Sequence, residues 1–424
     1  MISLRDQPRR ELGGPDPLDR RIGAPPLTAL QWLRSTLFTR SALGLAPSLT
    51  PAVVFLPLGA ILGPRGLQWF TPQVLNRLDM AVTIALAVLG VMVGVALARG
   101  MREHSRLLAA ASLESAVTVA AVAGATAYFI VQTGIQVGVP LGAIALAFGI
   151  CASASSATSA SPDSEAAAAV GTRVADLDDV LPIVLTTVAV PLMLTESAQG
   201  TWILIGATVA TGLTVGAIGW LLFDRAESSA ERVVFVLGAM ALAGGAAAYL
   251  QVSPLAVGLI AGMFWVMAPG LADRVVIEDL GRVQHPLVVL LLLTAGALWA
   301  PSVTVLWLLA PYVLFRLAGK CAGAWATARF LEVRAGDLAA FLMPPGVLAV
   351  AFALNVKQLL PAEAGQTLIS VVAVGTAAFE LFALAVVPRW RRSAGRGPDP
   401  SAGDAGRGPD PSAGEAGRGP ERTR

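Results

Sequence analysis

Charge is scarce in this chain. Of its 424 residues, 14% are Asp, Glu, Lys or Arg, against about 25% in an ordinary soluble domain. A soluble enzyme of this length could not cover its surface with so few charges, so that class is excluded. Lysine is rarer still: Lys320 and Lys357 are the only two. The net charge of +2 is too small to hold a polyanion by counterion release, so no nucleic-acid partner is expected. Both cysteines, Cys151 and Cys321, fall inside apolar runs, which argues against a disulfide framework. His104 and His285 are the only histidines, too few for a histidine-rich metal site with those cysteines. Residues 1–41 hold seven arginines and no long apolar run, so no cleavable signal peptide is expected.

What the chain does have is apolar length. Hydrophobic residues make up 55% and mean hydropathy is +0.69, values that fit a chain whose solvent is the lipid bilayer. A span needs about 20 residues to cross the hydrocarbon core. Twelve runs qualify: 46–63, 80–99, 105–131, 137–157, 166–195, 201–223, 231–250, 253–269, 284–300, 303–329, 337–356 and 366–388. The expected fold is an all-α polytopic membrane protein of about twelve transmembrane helices. Around it lie a basic arm over 1–45 and a Gly/Pro-rich tail over 389–424. In the arm, Leu27, Leu30, Leu33 and Leu37 recur at helical spacing, which suits an interfacial helix. The tail repeats AGRGPDPSAG, cannot bury apolar area and is expected to be disordered.

Arginine placement sets the expected orientation. With both termini in the cytoplasm, inside connections receive Arg102, Arg106, Arg225, Arg232, Arg274, Arg282, Arg329 and Arg334, and outside ones keep only Arg65, Arg77 and Lys357.

Charges inside the runs need a reason, because one at the bilayer centre costs roughly 2.5–3.5 kcal/mol on insertion scales. The densest group is Arg173, Asp176, Asp178 and Asp179. If the fifth helix starts near Glu165, Asp178 lies about 20 Å along it, deep in the membrane. Just upstream, the Ser/Thr-rich stretch 149–165, which includes Thr158 and Ser159, suits a broken helix whose freed carbonyls need partners. In the tenth run Arg316 and Lys320 share a helix face, and Lys320 lies too deep to snorkel comfortably and needs a carboxylate. Pro344, Pro345 and Gly346 interrupt the eleventh run. Two interrupted helices in corresponding halves point to an inverted-repeat transporter. The repeats are expected over 46–195 and 253–388, with the fourth and eleventh helices broken and crossing. Glu114 and Glu380 are expected to be structural ion-pair members, with Arg316 as the partner of either.

These residues resemble the monovalent cation:proton antiporters. LTPAVVFLPLGAILGPRGL, SSATSA, VADLDDVLPIVL and FRLAGKCAGA are similar, in the family's order, to its first core helix, its unwound Thr-Ser helix, its Asp-Asp helix and its lysine helix. The Asp-Asp plus Lys combination resembles the electrogenic sodium/proton branch of the cation:proton antiporter-2 group. The stretch from Thr158 to Asp178 is shorter than that pattern, and SPDSE at 161–165 adds charge to it. The resemblance implies that Asp179 binds the ion, that Asp178 pairs with Lys320, and that Thr158 and Ser159 sit at the helix crossover. It implies Na+ or another monovalent cation exchanged for H+, with Asp178 and Asp179 as the Na+ ligands and Lys320 as a second proton carrier. No cofactor is expected beyond the transported ions. A homodimer in a bacterial inner membrane, with both termini cytoplasmic, is the expected setting. A sodium-coupled organic-anion symporter and a non-transporting sensor on the same scaffold are the alternatives. An intramembrane aspartyl protease is disfavoured, because Asp178 and Asp179 are adjacent rather than on two facing helices.

Overall fold

The computed structural model describes residues 50–103, 105–156, 165–194, 198–223, 225–268 and 272–394. The arm over 1–45, Thr158, Ser159 and all of the tail beyond Ala394 lie outside these residues.

In a bilayer every backbone N–H and C=O must be satisfied within the protein, so long apolar runs fold as helices. The helices are α1 (Pro51–Leu62), α2 (Pro72–Glu103), α3 (Ser105–Thr133), α4 (Leu141–Ser153), α5 (Glu165–Leu177), α6 (Val180–Leu194), α7 (Ala198–Phe223), α8 (Ser229–Leu250), α9 (Pro254–Met267), α10 (Ala272–Ala297), α11 (Val303–Leu331), α12 (Ala335–Leu342), α13 (Gly346–Lys357) and α14 (Ala362–Ala394). Among the described residues there is no strand. Local chemistry sets several of the boundaries. Ser228, Ser253 and Ser302 cap α8, α9 and α11, each accepting a hydrogen bond from the N–H three residues on. Gln251 and Glu332 end α8 and α11 in the left-handed region.

Among the described residues, seven spans are long and apolar enough to cross a membrane; α12 and α13 form an eighth as a bent pair, and four shorter apolar helices lie at 51–62, 141–153, 254–267 and 283–297. Together they account for the twelve apolar runs. Two runs differ from plain spans in an informative way. The eleventh bends by 54° between Leu342 and Gly346, at the predicted Pro-Pro-Gly break. The fifth divides at Asp178–Asp179 into α5 and α6; Pro182, four residues after Asp178, has no N–H to return to the Asp178 carbonyl.

The helix contacts pair the runs as an internal two-fold relating each of the first five to the run seven places later would require. Thus α2 packs on α9 and, equivalently, α1 on α10; α3 packs on α11, and α4 on α13. Glycines make the first two seams. A Cβ on Gly90 or Gly94 of α2 would run into the carbonyls of Leu255 and Leu259, and one on Gly258 or Gly262 of α9 into those of Ala87 and Val91. At the related seam, Gly59 of α1 meets the Leu293 carbonyl and Gly296 of α10 meets that of Leu56. Lipid tails are as apolar as leucine, so helices gain by close backbone approach rather than by hiding apolar area.

Helices α7 and α8 lie against the α2–α9 pair. Their shared core contains Val91, Val215, Phe223, Met240 and Trp265. Trp265 packs edge-on against Phe223, with ring centroids 5.0 Å apart, and donates to the Gly216 carbonyl at 2.8 Å. The remaining helices surround the larger core, in which Phe148, Ile183, Tyr312 and Phe352 are buried.

Candidate functional site: two helix breaks and a buried lysine

The broken ends of the fourth and eleventh runs touch. After α4 the chain leaves the helix over Ala154–Ser156, and the Ser156 N–H donates to the Pro344 carbonyl at 2.8 Å. Gly346 has φ +63, and a Cβ there would collide with Ser156, so only glycine fits.

Each break frees carbonyls in the dry interior, and α11 supplies their donors. Arg316 donates to Met343 O at 2.9 Å and to Ala154 O at 2.8 Å. Its guanidinium also lies 4.5 Å from the centroid of the Phe379 ring. Lys320, one turn further along, donates to Ser153 O. The opposite end of the break is handled by the opposite charge: Gly346 N, at the start of α13, donates to Glu380 Oε1 at 3.0 Å, where a carboxylate meets the positive end of a helix dipole. The expected pairing of Glu114 or Glu380 with Arg316 is therefore corrected. Arg316 spends its hydrogen bonds on carbonyls of two breaks, Glu380 caps α13, and Glu114 belongs to Lys320.

Lys320 is fully buried. Its Nζ lies 3.0 Å from Glu114 Oε1 and 3.4 Å from Asp178 Oδ2, and it donates to Ser155 Oγ at 2.6 Å. Ser155 passes the contact on, donating to Asp178 Oδ2 at 2.5 Å. Thr118 Oγ1 donates to Glu114 Oε1 at 3.1 Å, and Ser115 Oγ to the Asp178 carbonyl at 2.5 Å. The expected Asp178–Lys320 contact is present, but Lys320 has two carboxylate neighbours where the sequence reading gave it one.

Asp178 and Asp179 occupy the junction of α5 and α6. Both are buried, at 0% and 1% exposure. Asp178 Oδ1 and Asp179 Oδ1 have no hydrogen-bond partner among the described residues. Unpaired buried acceptors are unfavourable in a folded chain, and oxygen acceptors of this kind suit a proton or a hard monovalent cation. Arg173 and Asp176, grouped with them in sequence, are exposed on α5 and are not part of the cluster. Thr158 and Ser159, expected at the crossover, lie outside the described residues. Ser115, Thr118, Ser153 and Ser155 were not anticipated individually. Ser153 and Ser155 do sit in the polar stretch that marked the break, and Ser115 directly follows Glu114.

No family model matches the sequence, and no curated protein matches it. The solved structure of MjNhaP1, a sodium proton antiporter from Methanocaldococcus jannaschii at pH 8, does match, with a TM-score of 0.55. The fold is sodium/proton antiporter-like. The likeness covers 78% of this chain and 92% of the other at 16% identity. The fold shared with MjNhaP1 is the frame on which the buried Lys320 cluster and the two touching breaks are set.

Proposed function

We propose that the protein is a secondary antiporter exchanging Na+, or another monovalent cation, for H+, of the cation:proton antiporter-2 type with an Asp-Asp pair and a membrane lysine. The observation that carries this reading is the pair of buried carboxylate oxygens of Asp178 and Asp179 that have no partner among the described residues, beside a buried lysine and the contact of two broken helices. The shared antiporter fold supports it. Asp179 and Asp178 bind either the cation or protons, so the two ions compete for one site. That competition suffices for coupled exchange if the site opens to one side at a time. Thr158 and Ser159 are proposed to complete the oxygen set.

The exchange is proposed to be electrogenic, with two protons returning per cation: one on Asp179 and one on the Asp178–Lys320 pair. The setting is a bacterial inner membrane with both termini cytoplasmic, and the assembly a homodimer. The test is proton flux in sealed vesicles holding the purified protein. Adding Na+, Li+ or K+ should release or take up protons, and Asp179→Asn should abolish the flux while leaving folding intact. Sustained exchange in that variant would place the site elsewhere.

A further inference from the structure

We infer that Glu114 is the standing counter-ion of Lys320 and thereby leaves Asp178 free for the transported cation. The inference rests on the exchange reading above and assigns a positioning residue to that same site.

An ammonium has three N–H donors. Around Lys320 Nζ, Ser153 O, Ser155 Oγ at 2.6 Å and Glu114 Oε1 at 3.0 Å are the three closest acceptors. Glu114 Oε2 follows at 3.2 Å, and Asp178 Oδ2, at 3.4 Å, is the most distant. With three donors engaged, Asp178 is tied to the lysine chiefly through Ser155, whose hydroxyl it accepts at 2.5 Å. Its other oxygen, Oδ1, is buried with no partner among the described residues.

Glu114 is fixed from its own helix. It is fully buried, it accepts from Thr118 one turn on, and its stem is pressed against Gly323 of α11. Breaking a buried ion pair by removing one partner is strongly unfavourable, because a buried charge is left uncompensated. If Asp178 were the only partner of Lys320, a cation taking Asp178 would have to leave the lysine in that condition. With Glu114 in place, it does not. Glu114 therefore contributes to cation affinity without touching the cation.

The measurement is cation-dependent proton flux in vesicles holding the full chain, with the KM for Na+ and the maximal rate determined separately. Glu114→Gln turns Lys320 towards Asp178 as its sole carboxylate. KM should rise about tenfold, a coupling in the range typical of contacting charges, and by more than the maximal rate falls. Glu114→Asp, which keeps the counter-charge, should hold KM to within about threefold of the parent. An unchanged KM with a lowered rate in Glu114→Gln would make Glu114 merely structural and overturn the inference. So would a Glu114→Asp variant as weak as Glu114→Gln. Should Glu114→Gln not survive purification, KM is read in membrane vesicles from the expressing cells: a rise of about tenfold supports the inference, and a value within about threefold of the parent overturns it. A parent protein that moves no protons on cation addition removes the exchange reading itself and the inference with it. Failure in the variants alone leaves exchange standing.

Discussion

At the scale of single residues, Arg316 and Lys320 divide the labour of one helix face. The guanidinium fork reaches Met343 O and Ala154 O together, a geometry that a point charge on a flexible stem does not reproduce. Arg316→Lys should therefore lose one of the two bonds, leave a buried carbonyl unpaired, and lower stability by about 2 kcal/mol. Thermal unfolding of the detergent-solubilised protein would register that loss, and an unchanged transition would show that the carbonyls find other donors. Much of this chemistry was legible beforehand, because a charge in an apolar run is conspicuous. Asp178, Asp179 and Lys320 stood out for that reason, and all three lie in or beside one buried cluster. The partner of Glu114 was not legible. Spacing places Arg316 and Lys320 on one face, but it does not say which carboxylate from another helix will oppose which cation. Grouping Arg173 and Asp176 with the two aspartates in sequence does not place them together in space. Neighbours on a helix point in different directions, and Arg173 and Asp176 face outward.

At the scale of elements, the breaks and the seams behave differently. The break in the eleventh run is written in Pro344, Pro345 and Gly346, and the structure bends there. The break between α5 and α6 is marked by Pro182, which leaves the Asp178 carbonyl without a helical donor; Ser115 donates to it instead. Pro182 could have announced the break; the donor from Ser115 could not be foreseen. The seams were legible merely as Gly/Ala-rich composition, since sequence alone does not pair Gly90 and Gly94 with Gly258 and Gly262. In the folded chain each of these sits on a backbone carbonyl of the facing helix. Backbone cannot rotate aside as a side chain can, so Gly258→Ala should push α9 off α2 and destabilise by roughly 1–3 kcal/mol. Gly238 of α8 has open space around it, so Gly238→Ala should be neutral or slightly stabilising, by at most about 1 kcal/mol. Unfolding transitions of the two variants, measured side by side, check the contrast.

At the scale of the whole molecule, the two-fold in the packing and the twelve apolar runs make the inverted-repeat reading the simplest account of the fold. The proposed exchange gives it a functional counterpart in charge movement. Moving one elementary charge across the membrane is worth about 2.3 kcal/mol per 100 mV. Exchange of two protons for one cation should therefore accelerate or slow with an imposed potential, in the direction that favours net charge flow. A potassium-diffusion potential across the vesicles, set with an ionophore when sodium is the substrate, provides the measurement. Rates indifferent to that potential would mean one proton per cation, with Asp179 as the sole carrier.

The ties from α11 to the two breaks have a mechanical side. Arg316 bonds one carbonyl from each break, Lys320 bonds another, and Ser156 joins the two breaks directly. Sliding one break past the other would rupture charge-assisted hydrogen bonds worth roughly 1.5–3 kcal/mol each. Carrying both breaks together with α11 ruptures none of them. The low-energy displacement is thus that of a riveted block, and whatever uncovers Asp178 and Asp179 must carry the lysine, the arginine and both broken ends with it.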